Sequence, residues 1–106
     1  MMDLQNKTAL ITGATSGIGK ATATLFAEKG AQLILCGRRQ DRLGKLSEAL
    51  SQKTNVHTLN FDVRDKEKVF QQIASLPEAF QHIDILINNA ALGMGIIRAD
   101  HLTNLV

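Results

Sequence analysis

Among 106 residues there is no tyrosine, no tryptophan, one proline and one cysteine, so four phenylalanines carry the entire aromatic content. A lone cysteine, Cys36, cannot close an internal disulfide, and its place at the end of an apolar run suits a small buried hydrophobe. His57, His82 and His101 lack metal-ligand spacing and read as structural or solvated side chains. Scarce aromatics, with no zinc or RNA-binding signature, leave a nucleic-acid role little support. No apolar run approaches a membrane span, and no signal-peptide core precedes the first strand, so the expected location is the cytoplasm. The net charge of +2 comes from dispersed signs, and Arg38-Arg39 is the one basic pair that stands out. At 44% hydrophobic content the chain can bury one modest core, so residues 1–106 are expected to form a single domain.

What is present is glycine at unusual places. Thr12-Gly13-Ala14-Thr15-Ser16-Gly17-Ile18-Gly19 follows Thr8-Ala9-Leu10-Ile11-Thr12, a short uncharged apolar run of the kind buried in a parallel sheet. After the glycines, Ile18, Ala21, Thr22, Leu25 and Phe26 recur at helical spacing, which predicts a helix with those residues inward. The first N–H groups of a helix have no intrahelical acceptor, and the macrodipole adds positive potential, so an anion is stabilised there. Glycine lets the backbone turn sharply and approach the anion with no Cβ between them.

Two phosphate-binding loops share this outline. A P-loop, G-x-x-x-x-G-K-[ST], would use Gly19-Lys20, but that register puts Ala14 at the first glycine and Ala21 at the metal-binding hydroxyl. Thr22 comes one residue too late, which leaves the P-loop little support. The G-x-G-x-x-G order also fails, because three residues separate Gly13 from Gly17 and one separates Gly17 from Gly19. T-G-x-x-x-G-x-G resembles the turn of the short-chain dehydrogenase/reductase family, a Rossmann variant.

Further residues carry the resemblance. Gln32 to Gly37 reads as a second strand with Arg38-Arg39 at its carboxyl end, where a Rossmann fold meets the ribose 2′ position. Arginine there favours the 2′-phosphate of NADP, which guanidinium can grip bidentately; the plainer reading is a solvated charge pair opening the next helix. The resemblance implies that Gly13, Thr15, Ser16, Gly17, Ile18 and Gly19 bind the cofactor and that Asp62 meets the adenine amino group, with a backbone contact from Val63. Asp62 could equally be a turn residue at the end of a third strand, Val56 to Phe61, while Asp65 reads as the N-cap of the following helix. Asp84 to Asn88 reads as a fourth strand running into Asn89-Ala90-Ala91, similar to the family's Asn-Asn-Ala-Gly beside the cofactor ribose, with Ala91 in place of glycine. The wording from Asp62 to Gly95 resembles the branch of NADP-dependent enzymes that oxidise 3-hydroxy acids such as serine, allo-threonine and 3-hydroxypropionate.

The chain between these motifs alternates strand and helix. Helices are predicted from about Asp41 to Leu50, with Leu43, Leu46 and Leu50 inward, and from Lys66 to about Leu76, with Val69, Phe70 and Ile73 inward. Such alternation makes an α/β fold with right-handed crossovers, and the resemblance implies a partial Rossmann fold of about four parallel strands in the order 3-2-1-4. Ile85, Leu86 and Ile87 would then lie on an open edge available to a second copy or a partner chain. Gly93-Met94-Gly95 reads as a loop near the nicotinamide end, and Ile96 to Val106 matches no motif and could begin a helix.

The missing tyrosine bears on chemistry. The family's catalysis uses a tyrosine hydroxyl, a lysine four residues later, a serine and an asparagine, and no tyrosine is present. The resemblance runs from about Lys7 to Gly95, the first half of a family member, so no catalytic residue is assigned and no metal is expected. Three readings follow: the NADP-binding portion of an oxidoreductase, catalytically incomplete and truncated; a non-catalytic NADP-binding or interaction module; or the nonfunctional product of a truncated gene.

Overall fold

The computed structural model describes residues 3–89 and 95–98. Strand β1 (Thr8–Thr12), helix α1 (Gly17–Glu28), β2 (Gln32–Gly37), α2 (Gln40–Leu50), β3 (Val56–Asn60), α3 (Lys66–Ala74), a 3-10 turn (Glu78–Phe80), β4 (Ile85–Asn88) and β5 (Gly95–Arg98) follow in that order. The sheet order is β3-β2-β1-β4-β5, with β3 to β4 parallel and β5 antiparallel to β4. The Rossmann order 3-2-1-4 is therefore present.

β1 sits in the middle because nothing along it needs water. All five of its residues are buried, with Ala9 and Ile11 facing one core and Leu10 the other. The first core joins those residues, Leu33 and Leu35 to α1 and to Leu43, Leu46 and Leu50 of α2. The second gathers Leu10, Ile34, Leu59 and Leu86 under Val69, Leu76 and Ile83. Full burial of each such leucine or isoleucine contributes roughly 1.5–3 kcal/mol. β3 is an edge strand, and only Leu59 within it is buried. At the amino end of the sheet, the Asp84 carboxylate accepts the Thr8 N–H at 2.9 Å, and the Asp84 N–H donates to the Thr8 carbonyl at 2.9 Å.

Three expectations are corrected. The buried face of α1 is Gly19, Ala23, Phe26 and Ala27, whereas Ile18 and Leu25 are 59% and 44% exposed. Close approach decides this: a Cβ on Gly19 would collide with the Gly13 carbonyl, so the helix lies on its smallest residues. Phe70 turns outward on α3, 48% exposed, leaving Val69 as that helix's buried residue. The sheet does not end at β4, since Gly95–Arg98 pairs with it, Asn88 opposite Gly95 and Ile85 opposite Arg98. An unpaired strand edge carries a row of unmet N–H and C=O groups, and this short isoleucine-bearing segment satisfies them. Hence the fourth-strand edge expected to accept a partner chain is already taken, and the tail begins as a strand where a helix was a possibility. Met94 and Gly93 of the expected loop lie outside the described residues.

Candidate functional site

The carboxyl ends of β1, β2, β3 and β4 open onto a cavity of about 550 Å³. Register places them there together, since Thr12 pairs with Asn88 and Gly37 with Asn60. In an open parallel sheet this end, where successive crossovers part to opposite faces, is where ligands bind.

The turn after β1 forms one wall. Gly13 takes φ of 61°, a left-handed value that glycine adopts without strain. Its carbonyl accepts the Ser16 N–H at 3.2 Å, the Ser16 hydroxyl at 2.8 Å and the Asn89 amide at 3.2 Å. Ser16 is the N-cap of α1 and also accepts the Gly19 N–H at 3.4 Å and the Asn89 amide at 2.8 Å. The N–H groups of Gly17 and Ile18 stand in the helical turn that has no intrahelical acceptor. A Cβ on Gly17 would meet nothing within 4 Å. Folding therefore leaves open space at that glycine. Below the turn, the Thr12 hydroxyl lies 2.9 Å from Asn88 Oδ1 and accepts the Asn89 N–H at 2.9 Å.

The opposite wall is charged. Among the described residues four arginines line the cavity, Arg38, Arg39, Arg42 and Arg64, against one carboxylate, Asp62. Arg64 grips Asp62 through Nη2 at 2.8 Å from Oδ2 and Nε at 3.1 Å from Oδ1, and its own N–H donates to Oδ1 at 2.9 Å. Arg38 approaches the same carboxylate at 3.6 Å. The Arg64 hydrogen bonds hold the Asp62 carboxyl well below the usual carboxylate range, with its charge and that of Arg38 adding to the effect.

Of the residues singled out in the sequence, Gly13, Thr15, Ser16, Arg38, Arg39, Asp62, Val63 and Asn89 line one cavity. Gly17 and Ile18 stand beside it, exposed, and Gly19 is buried beneath the turn. Ala90 lies outside the described residues. Arg42 and Arg64 escaped the sequence reading. Arg64 had a signal, since Asp followed two residues later by a donor makes a tight turn closed on the Asp side chain. Asp65 caps α3 as expected, accepting the Lys68 N–H at 3.2 Å.

A family model described as short chain dehydrogenase matches residues 7–104. The chain belongs to that family. It is 54% identical over 85 residues to sulfoacetaldehyde reductase 2 of Chromohalobacter salexigens, covering 80% of this chain and 34% of that protein. With the NADP-dependent 3-hydroxy acid dehydrogenase YdfG of Salmonella typhi it shares 42% identity over 87 residues, 82% of this chain and 34% of that protein. Among solved structures, L-sorbose reductase from Gluconobacter frateurii, complexed with NADPH and L-sorbose, superimposes with a TM-score of 0.78 at 39% identity. That match covers 86% of this chain and 35% of the reductase. The chain thus spans about a third of the length of these relatives, and its own residues include the glycine turn and the arginine wall. Among the described residues no helix is long and apolar enough to cross a membrane, and no group of His, Cys, Asp and Glu could hold a metal ion.

Proposed function

We propose that residues 1–106 are the NADP(H)-binding portion of a short chain dehydrogenase whose whole-protein reaction is hydride transfer between NADP and a hydroxyl or carbonyl substrate, with 3-hydroxy acids among the candidate substrates. The observation that carries this reading is one cavity with a helix-start glycine turn on one side and four arginines on the other. A dinucleotide needs both: N–H groups for its pyrophosphate and, for the phosphorylated form, cations at the 2′ position. The open space over Gly17 fits a phosphate oxygen approaching the backbone, because no described residue comes within 4 Å of where a Cβ would stand.

Each residue then has a task. Gly13, Thr15, Ser16 and Gly17 cradle the pyrophosphate with Ile18 beside it, while Gly19 holds α1 tight under the turn. Arg38 and Arg39 face the 2′-phosphate. Asp62 accepts the adenine amino group at the one site on Oδ2 that Arg64 leaves over, since an ionised carboxylate has about four acceptor sites and Arg64 brings three N–H donors to them. Val63 borders the ring, and Asn89 passes beside the ribose. A bound nicotinamide supplies the hydride donor or acceptor. The proton for a carbonyl substrate has no tyrosine to come from within these residues.

Calorimetric titration of the purified chain with NADP(H) and NAD(H) tests the reading. Saturable binding with NADP preferred supports it; a folded sample that binds neither overturns it.

A further inference from the structure

Arg38 and Arg39 are neighbours in sequence, but the structure separates their roles. Arg38 reaches the Asp62 carboxylate at 3.6 Å, so part of its charge is already answered. Arg39, the residue before α2, makes no side-chain cap and, among the described residues, no ion pair. The third arginine on this wall, Arg42, lies in the first turn of α2 and, among the described residues, forms no ion pair either. A cation is poorly placed in a first helical turn, because the macrodipole already puts positive potential there. Side chains on a helix lean toward its amino end, so Arg42 projects toward Arg39 and the cavity. Arg42 and Thr15 also line a second hollow of about 330 Å³ between α1 and α2, with Lys20 and Lys45. Arg42 thus borders both basic hollows, and among the described residues no carboxylate lines the second. Folding gains little from this cation, whereas a dianion in the cavity would gain a bidentate partner.

We infer that Arg42 selects for the phosphorylated dinucleotide, joining Arg39 in holding the 2′-phosphate while Arg38 bridges that phosphate to Asp62. This inference rests on the proposed NADP reading and adds to it a residue four positions past the strand-end arginine.

The test is calorimetric measurement of Kd for NADP+ and NAD+ with the full chain, its R42A and R42Q variants, and a K45A control on the same helix. Far-ultraviolet circular dichroism checks that each sample is folded. Arg42 is exposed, so both substitutions are tolerated by the fold. The expected result is NADP+ binding weakened roughly tenfold or more in R42A and R42Q, the scale of one lost charge-assisted hydrogen bond. NAD+ binding should stay within about twofold, and K45A should change NADP+ binding far less than R42A. Unchanged NADP+ binding in R42A and R42Q overturns the inference while the nucleotide reading stands. Equal loss for both cofactors also overturns it, marking Arg42 as structural. If the unsubstituted chain is folded and binds neither nucleotide, the underlying reading fails and the inference falls with it.

Discussion

The Asn89 side-chain amide donates to the Ser16 hydroxyl at 2.8 Å, joining the end of β4 to the N-cap of α1. The same nitrogen reaches the Gly13 carbonyl at 3.2 Å, so one amide fixes both the acceptor and the cap of the glycine turn. The shape of the turn therefore depends on β4 as well as on the glycines themselves.

Replacing Asn89 with alanine removes these bonds from a part-buried site while Ser16 and Gly13 keep one another. The expected loss is about 1–2 kcal/mol of stability, read from urea unfolding. An unfolding midpoint equal to that of the unsubstituted chain would show that the amide does not hold the turn.

Gly17 and Gly19 should part company on substitution. Gly19→Ala drives a Cβ into the Gly13 carbonyl and to 2.8 Å from Asn89 Nδ2, so stability should fall by about 3 kcal/mol. Gly17→Ala meets no atom and should leave the thermal midpoint unchanged or slightly raised while weakening NADP binding. Equal effects of the two on stability would contradict the assignment of one glycine to packing and the other to the ligand.

Removing both strand-end arginines, Arg38→Ala with Arg39→Ala, should weaken NADP binding by a few kcal/mol, the scale of lost charge-assisted bonds to phosphate. NAD binding should change little. Loss of the same size for both nucleotides would rule out contact with the 2′-phosphate.

The folded-state pKa of Asp62 lies below its unfolded value, so its pairing stabilises the fold above about pH 3.9, the ordinary aspartate value. That stabilisation is lost as pH falls from there through the folded pKa, and nothing from this pair changes between neutrality and pH 5. Following the carboxyl by NMR should show the Asp62 midpoint rising toward the ordinary value in Arg64→Ala. A midpoint that stays put would mean that the arginine is not its cause.

Burial pushes the Cys36 thiol up, well above the usual cysteine range. It should resist an aromatic disulfide reagent at pH 8 in the folded chain and react once denaturant is added. Rapid native-state reaction would show that the cavity opens onto its sulfur.

Strands and helices were legible because the signals were local: uncharged apolar runs at β1 and β2, helical leucine spacing at Leu43, Leu46 and Leu50, and a capping Asp65; the order 3-2-1-4 came from the family resemblance. The inward face of α1 was misread because hydropathy favours Ile18 and Leu25, whereas contact with the sheet is limited by the distance that Gly19, Ala23 and Ala27 allow. Phe70 was misplaced for a related reason, since the side of α3 that meets the core carries Val69 and, partly buried, Ile73. β5 escaped because four residues hold no periodicity, and its pairing depends on an edge that only the assembled sheet presents. Eight of the proposed site residues proved to share a cavity because the motif marks strand ends, which a parallel sheet brings together. Arg42 was hidden because its neighbours across the cavity come from other segments, whereas the partner of Arg64 is Asp62, two residues away, in a turn that only the structure drew attention to.

Thr12 and Asn89 are 77 positions apart, and their hydrogen bond closes only after β4 has docked beside β1. Contacts of such sequence separation form late, since the loop-closure entropy must be met first. A ligand recognising the finished turn would therefore bind only chains whose sheet is already assembled, and would raise the stability of the whole fold. At a hundredfold excess over Kd that gain is about 2.7 kcal/mol. The nucleotide would act as the last folding element of the molecule, supplied from solution.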